Sequence, residues 1–154
     1  PGGTYASGLA LDTAKPGEVI VIDAQGFLEA IMWGEIFSLT AITRGIAGTV
    51  IDGAVRDIAE VRTLGYPLFA AGIHPASGTG DKLGEVNVPI QCGGVLVRPG
   101  DLIFGDLLGV VVVQPEELLE TYDTCRQVLE KEAEWKAKLY EKLGPDATRR
   151  HTEV

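Results

Sequence analysis

Residues 47-AGTVIDGAVRDIAEVRTLG-65 change periodicity part-way, and that change decides the fold. The first nine, 47-AGTVIDGAV-55, form a nearly unbroken apolar run rich in β-branched residues, the pattern of a buried strand. From Asp57 onward, Ile58, Val61 and Leu64 recur at helical spacing and Gly65 supplies a stop, so 57–65 reads as a helix. The junction is a pair of adjacent opposite charges, Arg56-Asp57.

The same alternation continues on both sides. Upstream, 17-GEVIVIDAQG-26 reads as a strand bounded by Pro16-Gly17 and Gly26. Next, 34-GEIFSLTAITRG-45 reads as a helix, with Ile36, Leu39, Ala41 and Ile42 on its apolar face and Gly45 as its end. Downstream, 66-YPLFAAGI-73 reads as a third strand and 74-HPASGTGDKLGEVN-87 as a long polar loop. Gly93-Gly94, Pro99-Gly100 and Gly105 divide 88–113 into strand-length runs, an antiparallel meander. The segment 115–144 reads as a long helix, opened by Pro115 with Glu116 and Glu117 at its positive end and closed at Gly144-Pro145. It carries apolar Leu118, Leu119, Tyr122, Cys125, Val128 and Leu129, then a charged half with Trp135, Leu139 and Tyr140, and such a half-apolar helix suits packing on a neighbouring subunit. Strands alternating with helices imply parallel pairing with right-handed crossovers, so the fold class is α/β with mixed sheets.

A hydrophobic content of 45% suffices for a core, and 154 residues make one domain. A net charge of −9 speaks against nucleic acid and anionic membranes as partners, because both need clustered cations. No apolar run is long enough to span a bilayer, and PGGTYASG lacks the basic start and apolar heart of a signal peptide. Cys92 and Cys125 have neither metal-ligand nor disulfide spacing and read as buried thiols of a reducing compartment. A cytoplasmic location is therefore expected.

In open α/β sheets, ligands sit beyond the carboxyl ends of strands. Two places in this chain fit, the helix start at Gly34-Glu35 and the pair Arg56-Asp57. Arg56 offers a fork of donors for a carboxylate, or it pairs with Asp57 or Glu60 on the surface. Asp57 is either the N-cap of its helix or a hard oxygen ligand for Mg²⁺. The amides of Gly34, Glu35, Ile36 and Phe37 offer an anion site, unless water or a side chain caps them. Glu35 also suits the first turn through the helix dipole, and Glu60 suits a solvated face. Gly53 is expected to let the chain run close to a bound ligand. His74 and His151 lack metal-ligand spacing, and Ser77, with Gly78 and Gly80, lacks the G-x-S-x-G pattern of a nucleophile elbow.

Glu35, twenty intervening residues, Arg56-Asp57 and Glu60 together spell E-x20-R-D-x2-E. This resembles the signature of the class II pyruvate aldolases that cleave 4-hydroxy-4-methyl-2-oxoglutarate and 4-carboxy-4-hydroxy-2-oxoadipate. They belong with the RraA-like proteins, named after the regulator of ribonuclease activity A. PGEVIVIDAQG, WGEIFS, GTVIDGAVRD, LGYPLFAAG, GEVNVPIQCGGVLVRPGDLIFGD and GVVVVQPEE follow that family's order. The resemblance implies a β/β/α swivelling-domain (RraA-like) fold with a long C-terminal helix at 115–144, a single domain over 1–154. It also implies homotrimers or homohexamers with sites between subunits. Family members carry several dozen residues before the point matching Pro1, so an upstream segment is expected to be missing here. Ala71 stands where many members have arginine, and Leu107-Leu108 stand where acids are frequent.

Carried over by position, Asp57 would hold a divalent cation, Mg²⁺ or Mn²⁺. Arg56 and the amides of Gly34, Glu35, Ile36 and Phe37 would bind the pyruvate half of a 2-oxo acid. Glu35 would act on a nearby water. The implied reaction is retro-aldol cleavage of a 4-hydroxy-2-oxo acid to release pyruvate as its enolate, with oxaloacetate decarboxylation as a side activity. No Schiff-base lysine is required, so Lys82 is not expected to be catalytic. The alternative is an RraA-like regulator that binds and inhibits a ribonuclease. Such relatives commonly lack the aspartate, so its presence at position 57 favours catalysis. A methyltransferase would need a G-x-G loop after the first strand, and none is present.

Overall fold

The computed structural model describes residues 5–78 and 84–143. Gly80, Lys82, the Gly144-Pro145 stop and His151 lie outside the described residues. The chain divides after Val113 into two compact units.

The first unit is built on a three-stranded parallel sheet, β1 (Val19–Trp33), β2 (Gly48–Val55) and β3 (Leu68–Ile73), in the order β1-β2-β3. Helix α1 is Tyr5–Thr13, α2 (Glu35–Thr43) joins β1 to β2, and α3 (Ile58–Leu64) joins β2 to β3. The central strand β2 is the buried one, which explains its unbroken apolar run. Ile51 and Val55 are at most 2% exposed, and each such side chain contributes roughly 1.5–3 kcal/mol through burial. Trp33, Ile20, Met32, Ala41, Val61 and Tyr66 complete the core around them.

In this unit two elements depart from the sequence reading. Strand β1 does not stop at Gly26 but continues to Trp33. Gln25 and Gly26 both adopt left-handed φ values, 57° and 67°, and the register against β2 slips there, from Asp23↔Asp52 to Phe27↔Gly53. A glycine that reads as a strand end is a bulge within a strand. Helix α1 has no counterpart in the reading; it buries only Ser7 and Leu11, too few apolar positions to set up a helical period.

The expected antiparallel meander consists of two hairpins. β4 (Ile90–Cys92) pairs with β5 (Val95–Val97), and β6 (Leu102–Asp106) pairs with β7 (Gly109–Val113). Gly93 and Gly94 take positive φ at the first turn, as the sequence suggested. Cys92 is half-buried, with burial as the main cause raising its thiol pKa and the nearby Asp52 charge adding to it.

In the second unit, a 3₁₀ turn at Pro115–Glu117 leads into α4 (Leu118–Leu143). No residue of α4 is buried, and Cys125 is exposed rather than the buried thiol expected from the sequence. Among the described residues, no helix is long and apolar enough to cross a membrane.

Candidate active site

The site forms where β1 and β2 deliver their carboxyl ends side by side. Trp33 ends β1 and is only 1% exposed. Its indole N–H donates to Ser38 Oγ at 3.0 Å, and its ring meets Phe37 edge-on at 5.2 Å. Ser38 Oγ in turn donates to the Gly34 carbonyl at 3.0 Å. These contacts fix the turn from strand into α2. The Arg56 N–H donates to the Trp33 carbonyl at 3.1 Å, joining the two strand ends directly.

Asp57 occupies the N-cap position of α3 but makes no side-chain bond to that helix. Its backbone is left-handed, with φ 59° and ψ 41°, a region that aspartate tolerates better than most residues. The carboxylate turns to α2 instead, where Oδ2 accepts the Glu35 N–H at 3.2 Å. Gly34, the N-cap of α2, has no side chain to cap with, so Asp57 supplies the cap from another element. By helix geometry the Ile36 and Phe37 amides have no partner within α2.

Arg56 Nε donates to Asp57 Oδ1 at 3.1 Å, so the ion-pair reading is realised between these neighbours. Nη1 reaches the loop after β3, donating to Ser77 Oγ at 2.9 Å and to the Pro75 carbonyl at 3.3 Å. Gly34, Glu35, Ile36, Phe37, Arg56 and Asp57 all line one open groove of about 230 Å³. That is below the roughly 300–1,000 Å³ of sites for drug-sized ligands. Glu60 is exposed and does not line the groove.

The groove also contains Ser77 and Gly78, which the sequence reading considered as a nucleophile elbow and set aside. No local pattern marks Ser77, because its partner Arg56 lies 21 positions away. Gly53, expected to approach a ligand, approaches β1 instead: a Cβ there would lie 2.7 Å from Ala24 Cβ and 3.2 Å from the Phe27 carbonyl oxygen. Its smallness serves the packing of the bulge.

Among the described residues no three His, Cys, Asp or Glu side chains converge as a metal cage. Asp57 nevertheless fits one kind of cation. Each of its oxygens accepts one N–H and keeps a further lone pair. That suits an ion such as Mg²⁺, which binds through one or two carboxylates and keeps most of its shell as water and substrate oxygens.

The family model RraA-like (Aldolase/RraA) matches residues 5–112, and the chain belongs to this family. An uncharacterized protein of Methanocaldococcus jannaschii is 42% identical over 114 residues, covering 74% of this chain and 55% of that protein. A Halalkalibacterium halodurans protein named "Putative 4-hydroxy-4-methyl-2-oxoglutarate aldolase" is 46% identical over 114 residues, 72% of this chain and 54% of that one. The chain thus spans about half the length of these relatives. The solved structure of the RNA-processing inhibitor RraA from Thermus thermophilis superposes with a TM-score of 0.67 at 30% identity, covering 73% of this chain and 68% of the other.

Proposed function

We propose that this chain carries the groove of a metal-dependent pyruvate aldolase, which cleaves a 4-hydroxy-2-oxo acid and releases pyruvate. The observation that carries this reading is the convergence of Arg56, Asp57 and the amides at the start of α2 on one small groove. The aldolase name of the Halalkalibacterium halodurans relative supports it.

In this reading Arg56 and the Ile36 and Phe37 amides hold the substrate carboxylate, a fixed array of donors that needs no reorganisation as charge develops. Asp57 would hold Mg²⁺ or Mn²⁺, which when bound would supply Lewis-acid stabilisation of the developing enolate charge. Glu35, in the first turn of α2, takes the proton of the C4 hydroxyl, directly or through water, as the C3–C4 bond breaks. Loss of CO₂ from oxaloacetate leaves the same enolate, so decarboxylation follows from the same groove. A cytoplasmic homotrimer or homohexamer is part of the proposal.

Pyruvate release from 4-carboxy-4-hydroxy-2-oxoadipate or oxaloacetate, followed by coupling to lactate dehydrogenase, tests it. Activity that survives both EDTA and Asp57→Asn would sink the metal role of Asp57. The likeness to the Thermus RNA-processing inhibitor favours a second reading, a non-catalytic ribonuclease inhibitor. Absence of turnover on any 2-oxo acid, together with inhibition of a ribonuclease, would select it.

A further inference from the structure

The loop after β3 is tied to the ends of the parallel strands. His74 N–H donates to the Val55 carbonyl and Ile31 N–H to the Ala76 carbonyl, both at 3.0 Å. Ser77 pairs with Ile31 in a one-residue parallel bridge. His74 Nδ1 takes the Ala76 N–H at 3.1 Å. Ser77 is therefore held in place against Arg56 by backbone bonds on both sides of it.

That placement changes what Arg56 has left to offer. A guanidinium has five N–H donors. Three of them point at protein acceptors: Nε–H at Asp57, and Nη1 at Pro75 and Ser77. Among the described residues no acceptor takes the pair on Nη2. A two-nitrogen fork on a carboxylate would have to displace one of these acceptors. Ser77, in accepting from Nη1, keeps its own hydroxyl proton to donate. It lines the same groove as Arg56 and the first residues of α2.

We propose that Ser77 is the second arm of a carboxylate clamp. Its O–H and Arg56 Nη2 grip a small-acid carboxylate, while its Oγ holds the guanidinium plane in position. This rests on the 2-oxo acid reading of the groove and adds a binding residue to it. The two arms act on binding and leave the proton transfer to other groups.

The test is calorimetric titration of pyruvate and of oxalate into wild-type, Ser77→Ala, Ser77→Thr and Ser77→Val protein, with Mg²⁺ present. Oxalate serves as a planar mimic of the pyruvate enolate. Thr and Val have the same shape, so their contrast isolates the hydroxyl even if Ala loosens the loop. Ser77→Ala and Ser77→Val are expected to bind both ligands about ten-fold more weakly, the loss of one hydrogen bond to a charged group. Ser77→Thr stays close to wild type. With oxaloacetate as substrate, KM rises by the same factor and kcat holds. Equal binding by the Thr and Val variants, or a loss confined to kcat, overturns the role of Ser77 and leaves the aldolase reading standing. A wild-type protein that neither binds nor turns over a 2-oxo acid overturns both.

Discussion

Asp57 Oδ2 fills the space where a side chain on residue 34 would begin: a Cβ built on Gly34 lies 2.7 Å from it. Gly34 itself has an extended backbone, φ −165°, open to any residue, so the neighbour and not the torsion demands glycine. The blocking atom is the tip of a rotatable side chain. Gly34→Ala is therefore expected to swing the carboxylate aside at a cost to stability of less than about 1 kcal/mol. Pyruvate release should fall roughly 100-fold, because a misplacement of this size in a positioned site has that effect. Thermal unfolding and the coupled assay, run on one sample, separate the two effects. Activity close to wild type would show that the placement of Asp57 is immaterial.

Asp57→Asn and Asp57→Ala should agree in activity and differ in stability. Both remove the charge that would hold a cation. Asparagine keeps an oxygen for the Glu35 N–H and tolerates the left-handed backbone at φ 59°, whereas alanine does neither. The alanine variant should be less stable than the asparagine variant by about 1–2 kcal/mol. Both should lose at least about 100-fold in turnover. Denaturant titration measures the first difference and the coupled assay the second.

The parallel half of the fold was legible because the sequence there switches cleanly between two periods. Val50, Ile51 and Val55 belong to a strand buried on both faces, and Ile58, Val61 and Leu64 to one side of a helix. The spacing from Glu35 to Arg56-Asp57 works for a related reason: one α2-and-β2 unit separates two adjacent strand ends. What stayed hidden depends on contacts made by folding. Gly26 carries the same signal whether it ends a strand or bulges within one, and only the partner β2 decides. Ser77, in the loop after β3, meets Arg56 at the end of β2, so nothing beside it in sequence marks it. Gly53 was visible as a close approach, but sequence could not say that the approaching group is Ala24.

Thr49 and Tyr66 form a buried pair in the core, with Oγ1 and the phenol oxygen 2.8 Å apart. Burial raises the Tyr66 pKa, and the Thr49 bond opposes that rise only in part. Thr49→Val keeps the shape and leaves the phenol without its partner, which should cost about 1–3 kcal/mol in denaturant unfolding. Adding Tyr66→Phe removes the stranded group and should recover most of that loss. A double variant as unstable as the sum of its parts would mean the two hydroxyls are independent.

The two thiols should separate by rate under alkylation. Cys125 is exposed on α4, whereas Cys92 is half-buried, and burial followed by the Asp52 charge raises its pKa. A raised pKa means less thiolate at a given pH, and the thiolate is the nucleophile. At mildly alkaline pH iodoacetamide should modify Cys125 first. Asp52→Asn removes the charge while keeping an oxygen for the Gly93 N–H, so it should speed the reaction of Cys92. Mass mapping of the labelled peptides over time reads both rates.

Arg56→Lys and Glu35→Gln should divide binding from chemistry. A single ammonium cannot meet Asp57, Pro75 and Ser77 together and still present donors to a substrate, as the guanidinium does. Arg56→Lys is therefore expected to raise KM about ten-fold or more. Glu35→Gln keeps the helix start and the backbone N–H that Asp57 accepts, and removes only the basic carboxylate. Its kcat should fall by roughly 100-fold or more, the usual loss for a general base, while pyruvate binding holds. Steady-state kinetics on oxaloacetate, with pyruvate titration alongside, gives both quantities for each variant. The opposite pattern, with Glu35→Gln changing KM alone, would make Glu35 a binding residue and move the proton transfer to another group.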